Sequence, residues 1–312
     1  MRRAASSVMP RSLFVALMLA IVYVFWGATS PAMRLAVATL PPWWMAALRF
    51  LCAGALLWLY CRLRGLPLPD RHEWLGAALT GTILLVAGNG VFAWTLQYLP
   101  SGIGALFFAL APLWMAILGY FMYAERLSPM AIAGLAVGLG GMIFLYSPSG
   151  AQDLPTLPTV LGVFTSFAWA FGSMIQRRFT TANVVQFSSM QMLCAAPVLA
   201  LLALLFEKPL AASQFTPQAI GALLFLIFLG SIVGFSAFVW VLRHVPTTLA
   251  STYSYVNPIV ALIIGIGFLH ERFSWSLALG AGIIVLGVAL MIAAPKREPA
   301  LQRPDLRGEP SR

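Results

Sequence analysis

Residues 94–128 recur, without a gap, at 240–274. Under an offset of 146 residues Trp94 falls on Trp240, Pro100 on Pro246, Pro112 on Pro258 and Gly119 on Gly265. Glu125, Arg126 and Ser128 fall on Glu271, Arg272 and Ser274. The same offset pairs Gly88 with Gly234, Phe92 with Phe238, Gly134 with Gly280 and Gly141 with Gly287. A chain that contains itself twice is predicted to fold as two related units that bury a face against each other. Both units are very apolar. Hydrophobic residues make up 61% of the chain and charged residues 9%, a balance that no water-soluble domain of this length needs. Duplicated membrane halves are a mark of transporters, in which substrate binds where the repeats meet.

The apolar runs are long enough to cross hydrocarbon, which takes about 20 helical residues. They lie at 13–35, 43–61, 74–96, 101–123, 128–146, 158–177, 183–205, 216–241, 247–269 and 274–293. The predicted fold class is therefore an all-α integral membrane protein of ten transmembrane helices. Residues 13–146 and 158–293 form two five-helix repeats, flanked by a short N-terminus, 1–12, and a disordered tail, 294–312. Ser128-Pro129 and Thr216-Pro217 each offer a capping hydroxyl followed by proline at the first helical position. The first span resembles a signal peptide, but its apolar run exceeds the usual ~7–15 residues. It carries Trp26-Gly27, similar to Phe171-Gly172 at the start of the second half, so it is kept as a span.

The net charge of +10 is not a nucleic-acid footprint. With the N-terminus in the cytoplasm, fifteen of the nineteen basic residues fall on the inner side. Arg34, Lys208 and Arg272 fall outside and Arg49 lies within a span. This is the positive-inside pattern, and it places both termini in the cytoplasm. The basic excess serves topology and anionic lipid. Five spans per half, an odd number, invert the second repeat relative to the first. Inverted repeats supply two related conformations, one open to each side.

The acidic residues Asp70, Glu73, Glu125, Asp153, Glu207, Glu271, Glu298, Asp305 and Glu309 all lie in loops, span ends or the tail, as do His72, His244 and His270. Acid–base or metal-assisted chemistry needs clustered Asp, Glu or His. No catalytic residue, metal site or cofactor is expected. A membrane-embedded transferase would lack its carboxylates, and a proton relay through mid-membrane carboxylates is disfavoured. Cys52, Cys61 and Cys194 have no ligand spacing and read as small buried thiols.

Arg49 is the one charge inside a span, about 10 Å below the outer boundary. It either binds an anionic group of the substrate or snorkels and bonds carbonyls of a broken neighbouring helix. Pro112 and Pro258, at matched mid-span positions, free the carbonyls of Phe108 and Ser254. Such kinks border a cavity or serve packing alone. Asn257, Tyr253 and Asn89 are mid-span polar groups that either line a cavity or tie helices together. Trp26 and Trp169 either stack on a substrate or fill the core, while Trp43-Trp44 suit an interfacial belt. Gly134, Gly138 and Gly141 read as helix contacts of the small-residue kind. Glu125-Arg126 and Glu271-Arg272 read as interfacial ion pairs near the N-terminus of the following helix, with gating by alternate pairing as the second reading. A structural membrane protein would not need a mid-span Asn, Arg and matched prolines.

Together these motifs resemble the drug/metabolite transporter superfamily in its EamA-type branch. The resemblance rests on Trp26-Gly27, Pro41-Pro42 with Met45-Ala46 and Arg49-Phe50, Gly88-Asn89-Gly90, Pro100-Ser101-Gly102 and Ala111-Pro112-Leu113. It continues through Glu125, Trp169-Ala170-Phe171-Gly172-Ser173 and Tyr255-Val256-Asn257-Pro258 with Val260-Ala261. It spans residues 12–293. The resemblance implies ten helices in two inverted repeats around a cavity lined by helices 1, 3, 4, 6, 8 and 9. It also implies a cytoplasmic-membrane permease, often an exporter of amino acids or related metabolites. The expected partners are a small-molecule substrate and the bilayer, with the protein a monomer or homodimer. The small multidrug relatives use a glutamate in their first helix; this chain has none there, so proton-driven export of cationic drugs is not expected.

Overall fold

The structure is a computed structural model, and it describes residues 11–123, 128–146, 154–176, 178–179, 183–244 and 253–293. Among these residues every regular element is helical. Helix α1 runs Arg11–Gly27 and, past Ala28, Thr29–Ala36. Next come α2 (Pro42–Leu63) and α3, which passes from Arg71–Gly81 through a π-helical turn, Thr82–Gly90, into Val91–Thr95. Helix α4 consists of Ser101–Phe108 and Ala111–Tyr123, and α5 is Pro129–Tyr146. The second half holds α6 (Thr156–Gln176), α7 (Val184–Phe206) and α8. Helix α8 is assembled from Pro217–Phe225, a second π-helical turn Leu226–Val233, and Gly234–His244. Helices α9 (Tyr253–Phe268) and α10 (Trp275–Ala293) complete the described chain. Seven of these, α1 to α4 and α6 to α8, are long and apolar enough to cross a membrane; α5, α9 and α10 contribute shorter apolar stretches.

The helix starts follow local chemistry. Ser128 Oγ accepts from the Ala131 amide, and Thr216 Oγ1 from the Ala219 amide, each at 3.2 Å. These are the caps expected before Pro129 and Pro217. Asp70 and Glu73 close a reciprocal capping box on α3, and Asn183 caps α7.

Two end contacts reach from one half to the other, and that of Glu271 departs from expectation. Glu271 lies just before α10, yet its Oε1 accepts from the Ser101 amide at 2.7 Å and so caps α4, in the other half. Glu207 likewise reaches across, accepting from the amides of Trp43 and Trp44 at 2.9 and 3.1 Å at the start of α2. A carboxylate compensates the positive end of a helix dipole wherever it arrives from. Burial holds the Glu207 carboxyl above the usual carboxylate range, against the downward pull of the two amide bonds. Glu125 and Arg126 lie outside the described residues, as do residues 1–10 of the N-terminus and the tail from 294.

Helix packing pairs equivalent elements. The two most extensive contacts are α5 with α10 and α2 with α7, each joining a helix to its repeat counterpart. The α5–α10 seam is built on glycine. A Cβ on Gly287 would lie 2.4 Å from Gly138 N and 2.7 Å from Gly134 O, so the two backbones touch directly. In lipid, where apolar burial gives no drive for helix association, such close packing is what holds helices together. On α2 and α7, Ala46, Phe50, Ala53, Leu57, Ala195 and Leu199 form a buried cluster with Leu84 and Ile227.

Candidate functional site

The two π-helical turns occupy overlapping positions of the repeat, 82–90 and 226–233 under the 146-residue offset. In each, an amide reaches back five residues: Val91 to Val86 O and Gly234 to Leu229 O. A π turn slips the register of every side chain beyond it and is found at functional sites more often than chance allows. Asn89 of α3 and Ser231 of α8 each lie within one of these turns and meet at one side chain, Arg49 of α2.

Arg49 is buried, 6% exposed. Its Nε donates to Ser231 Oγ at 3.0 Å. Its Nη1 faces Asn89 Oδ1 at 3.4 Å and Met33 Sδ of α1 at 3.6 Å. The guanidinium carbon stands 5.0 Å from the centre of the Phe50 ring. All these partners are neutral, and they come from both halves. Arg49 therefore points into the protein and does not snorkel to the interface. Nη2 lies beside Gly230, where a Cβ would be 3.6 Å from it and 3.5 Å from Thr29 Oγ1.

Aromatic triads flank this centre. Trp26 of α1, Phe238 of α8 and Tyr253 of α9 are in mutual ring contact at 4.7, 5.3 and 5.3 Å. Trp26 Nε1 donates to Gly230 O at 3.1 Å, tying the indole to the second π turn. On the other side Phe92 of α3 meets Phe108 of α4 at 4.6 Å, and Phe108 meets Trp169 of α6 at 5.6 Å. Trp169 also packs over Gly88, next to Asn89. Phe92 and Phe238 are repeat equivalents, so helices 3, 4 and 6 build one triad and helices 8, 9 and 1 the other. Trp26, Asn89, Phe108, Trp169, Tyr253 and Asn257 remain partly exposed, whereas Ser254 is buried.

The structure thus draws Trp26, Arg49, Asn89, Phe108, Trp169 and Tyr253 into one connected set. Asn257 stands one helical turn beyond Tyr253. With its amide oriented to satisfy both neighbours, Nδ2 donates to the carbonyls of Tyr23 and Tyr253, each at 3.3 Å, so Asn257 ties α9 to α1. The prolines differ. Helix α4 is interrupted at Ala109 and Leu110, ahead of Pro112, while α9 is continuous through Pro258. Sequence reasoning missed Ser231, Met33 and Gly230. The available signal for Ser231 was a hydroxyl in the apolar run of α8, which Ser236 shares. Among the described residues no cluster of His, Cys, Asp or Glu could hold a metal ion.

Comparison with known proteins places this architecture. The EamA-like transporter family matches residues 13–147 and again 157–293. The chain belongs to that family. It is 35% identical to the "uncharacterized inner membrane transporter YedA" of Escherichia coli (strain K12), over 86% of this chain and 87% of that one. It is 25% identical to the "uncharacterized transporter YoaV" of Bacillus subtilis (strain 168), over 88% and 96%. A solved crystal structure, 21% identical, superimposes with a TM-score of 0.64 over 90% of this chain and 98% of its own, and shares the fold. As an EamA-family member the chain is a membrane transporter.

Proposed function

We propose that this protein is a secondary permease of the cytoplasmic (inner) membrane that exports a small metabolite by alternating access. The substrate class is an amino acid or a related neutral, zwitterionic or anionic compound. In this reading ten transmembrane helices form two inverted repeats, 13–146 and 158–293, with both termini cytoplasmic. Substrate contacts come from Trp26, Arg49, Asn89, Phe108, Trp169, Tyr253, Ser254 and Asn257, bordered by Pro112 and Pro258. The inner-membrane assignment draws on the relative from Escherichia coli, the cytoplasmic termini on the fifteen-to-three split of basic residues, and the inversion on an odd number of spans per repeat.

The observation that carries the reading is Arg49. A buried cation costs several kcal/mol, on the order of 3 or more at the membrane centre, unless it is paired or solvated. Arg49 is held by neutral groups of α1, α3 and α8, the helices that meet between the halves. A transported carboxylate supplies the missing charge. The test is metabolite profiling of medium from deletion cells complemented with wild type, Arg49→Lys or Arg49→Ala. A carboxylate-bearing metabolite should accumulate with wild type, less with Lys, which lacks the planar fork of donors, and least with Ala. Equal profiles from normally inserted variants would return Arg49 to a structural role.

A further inference from the structure

Arg49 holds its neighbours unequally. Its Nε bond to Ser231 Oγ, at 3.0 Å, has ordinary length, whereas the Nη1 contact with Asn89 Oδ1 is long at 3.4 Å. Neutral N–H···O bonds centre near 2.9–3.0 Å, and charge-assisted ones are shorter. Met33 Sδ, at 3.6 Å, is a weak acceptor. Beside Nη2, Gly230 leaves a methyl-sized space whose nearest atoms are at ordinary contact distances. Thus Ser231 fixes the inner edge of the guanidinium, while at the outer edge Nη1 is loosely held and Nη2 has no hydrogen-bond partner among the described residues. That outer edge is the fork that grips a carboxylate with two parallel bonds. Oδ1 of Asn89 must face Nη1, because the amide nitrogen and the guanidinium are both donors.

We propose that Asn89 Oδ1 stands in the place of one carboxylate oxygen of the substrate, and that Asn89 is the residue selecting for a carboxylate over a neutral group. The proposal rests on the reading of Arg49 as an anion site and deepens it. When a carboxylate arrives, one oxygen takes Nη1 from Asn89 and the other takes Nη2 in the space beside Gly230. The Asn89 amide turns, and its Nδ2 donates to the bound carboxylate. Asn89 therefore satisfies the cation in the empty protein and recognises the anion in the loaded one. A neutral substrate cannot displace it at a gain, since it would exchange one neutral acceptor for another.

The test uses the purified full-length protein, and a thermal readout keeps it independent of transport. The probes are acetate, pyruvate and glutamate, titrated against chloride at matched ionic strength. The wild type should show a carboxylate-dependent rise in Tm. Asn89→Asp places a fixed anion where the ligand oxygen belongs. It should raise Tm without ligand by at least about 2 °C and abolish the response to carboxylates. Gly230→Ala fits without a clash but covers Nη2, and should raise the half-maximal carboxylate concentration about tenfold. Asn89→Asp combined with Arg49→Met should lose the gained stability, because the aspartate then has no cation to pair with. The proposal is overturned if Asn89→Asp is less stable than Asn89→Ala, or if it keeps the wild-type carboxylate response. Failure of the broader reading has a different signature: no export phenotype in any variant, whatever the thermal shifts.

Discussion

Replacing Gly287 with alanine should separate α5 from α10, and the cost can be worked from the contact itself. The new Cβ would stand 2.4 Å from Gly138 N, 2.6 Å from Gly138 Cα and 2.7 Å from Gly134 O. Non-bonded atoms of this kind settle at about 3.5–4.0 Å, so the helices must part by about 1 Å. Overpacking costs about 1–3 kcal/mol when side chains can move aside. Here all three obstructing atoms are backbone, which has no rotamer to change, so the upper end of about 3 kcal/mol applies. A gap of that size also forfeits a quarter to a half of each contact well along the seam. Gly282 on the same helix has nothing within 4 Å of its would-be Cβ. There alanine brings only its better helix propensity, about 0.8–1.0 kcal/mol in its favour. Reversible unfolding of both variants in detergent micelles would read the contrast directly. The expected gap is about 4 kcal/mol. If the two unfold within about 1 kcal/mol of each other, the seam is not backbone-on-backbone and the reasoning fails.

Glu271→Ala should destabilise by about 1–3 kcal/mol, because it strands the Ser101 amide at a fully buried helix start, while Glu271→Gln keeps an acceptor and should cost under ~1 kcal/mol; equal losses would show that Glu271 is not the cap. Glu207, whose carboxyl is held above its usual range by burial, binds its proton more tightly folded than unfolded. Stability relative to Glu207→Gln should therefore rise as pH falls through that raised value and be flat well above it; a constant difference between neutral and mildly acidic pH would contradict this. Tags at residues 1 and 312 should stay inaccessible to an impermeant reagent while one near Asp153 is labelled, and termini on opposite sides would sink the inverted repeat. In sealed proteoliposomes, substrate counterflow should proceed without a pH gradient, since Glu207 and Glu271 sit at helix starts and not beside Arg49; accumulation driven by protons alone would refute exchange.

What the chain discloses before folding is what is periodic, local or singular. The duplication shows because it is spelled residue by residue, and Ser128 and Thr216 announce helix starts because a cap lies within three residues of the amide it serves. Arg49 stands out as one charge in an apolar run. Its partners do not, because they depend on register. Sequence similarity aligns Trp26-Gly27 with Phe171-Gly172, yet the aromatics of α6 that meet α4 are Trp169, against Phe108, and Phe167, against Trp114. At about 100° per residue, two positions turn a side chain by about 200°, to the opposite face of a helix, and Phe171 instead stacks on Phe167, 5.9 Å away and nearly parallel. The π turns compound this. Ser231 and Asn89, the two polar partners of Arg49, both lie within π turns, and no hydrophobic pattern records the register slip of such a turn. Glu271 capping α4 joins residues 170 positions apart, a contact that exists only once the halves have docked. Arg49 draws its neutral shell from α1, α3 and α8 for the same reason: the site belongs to neither repeat, and half a chain could not build it.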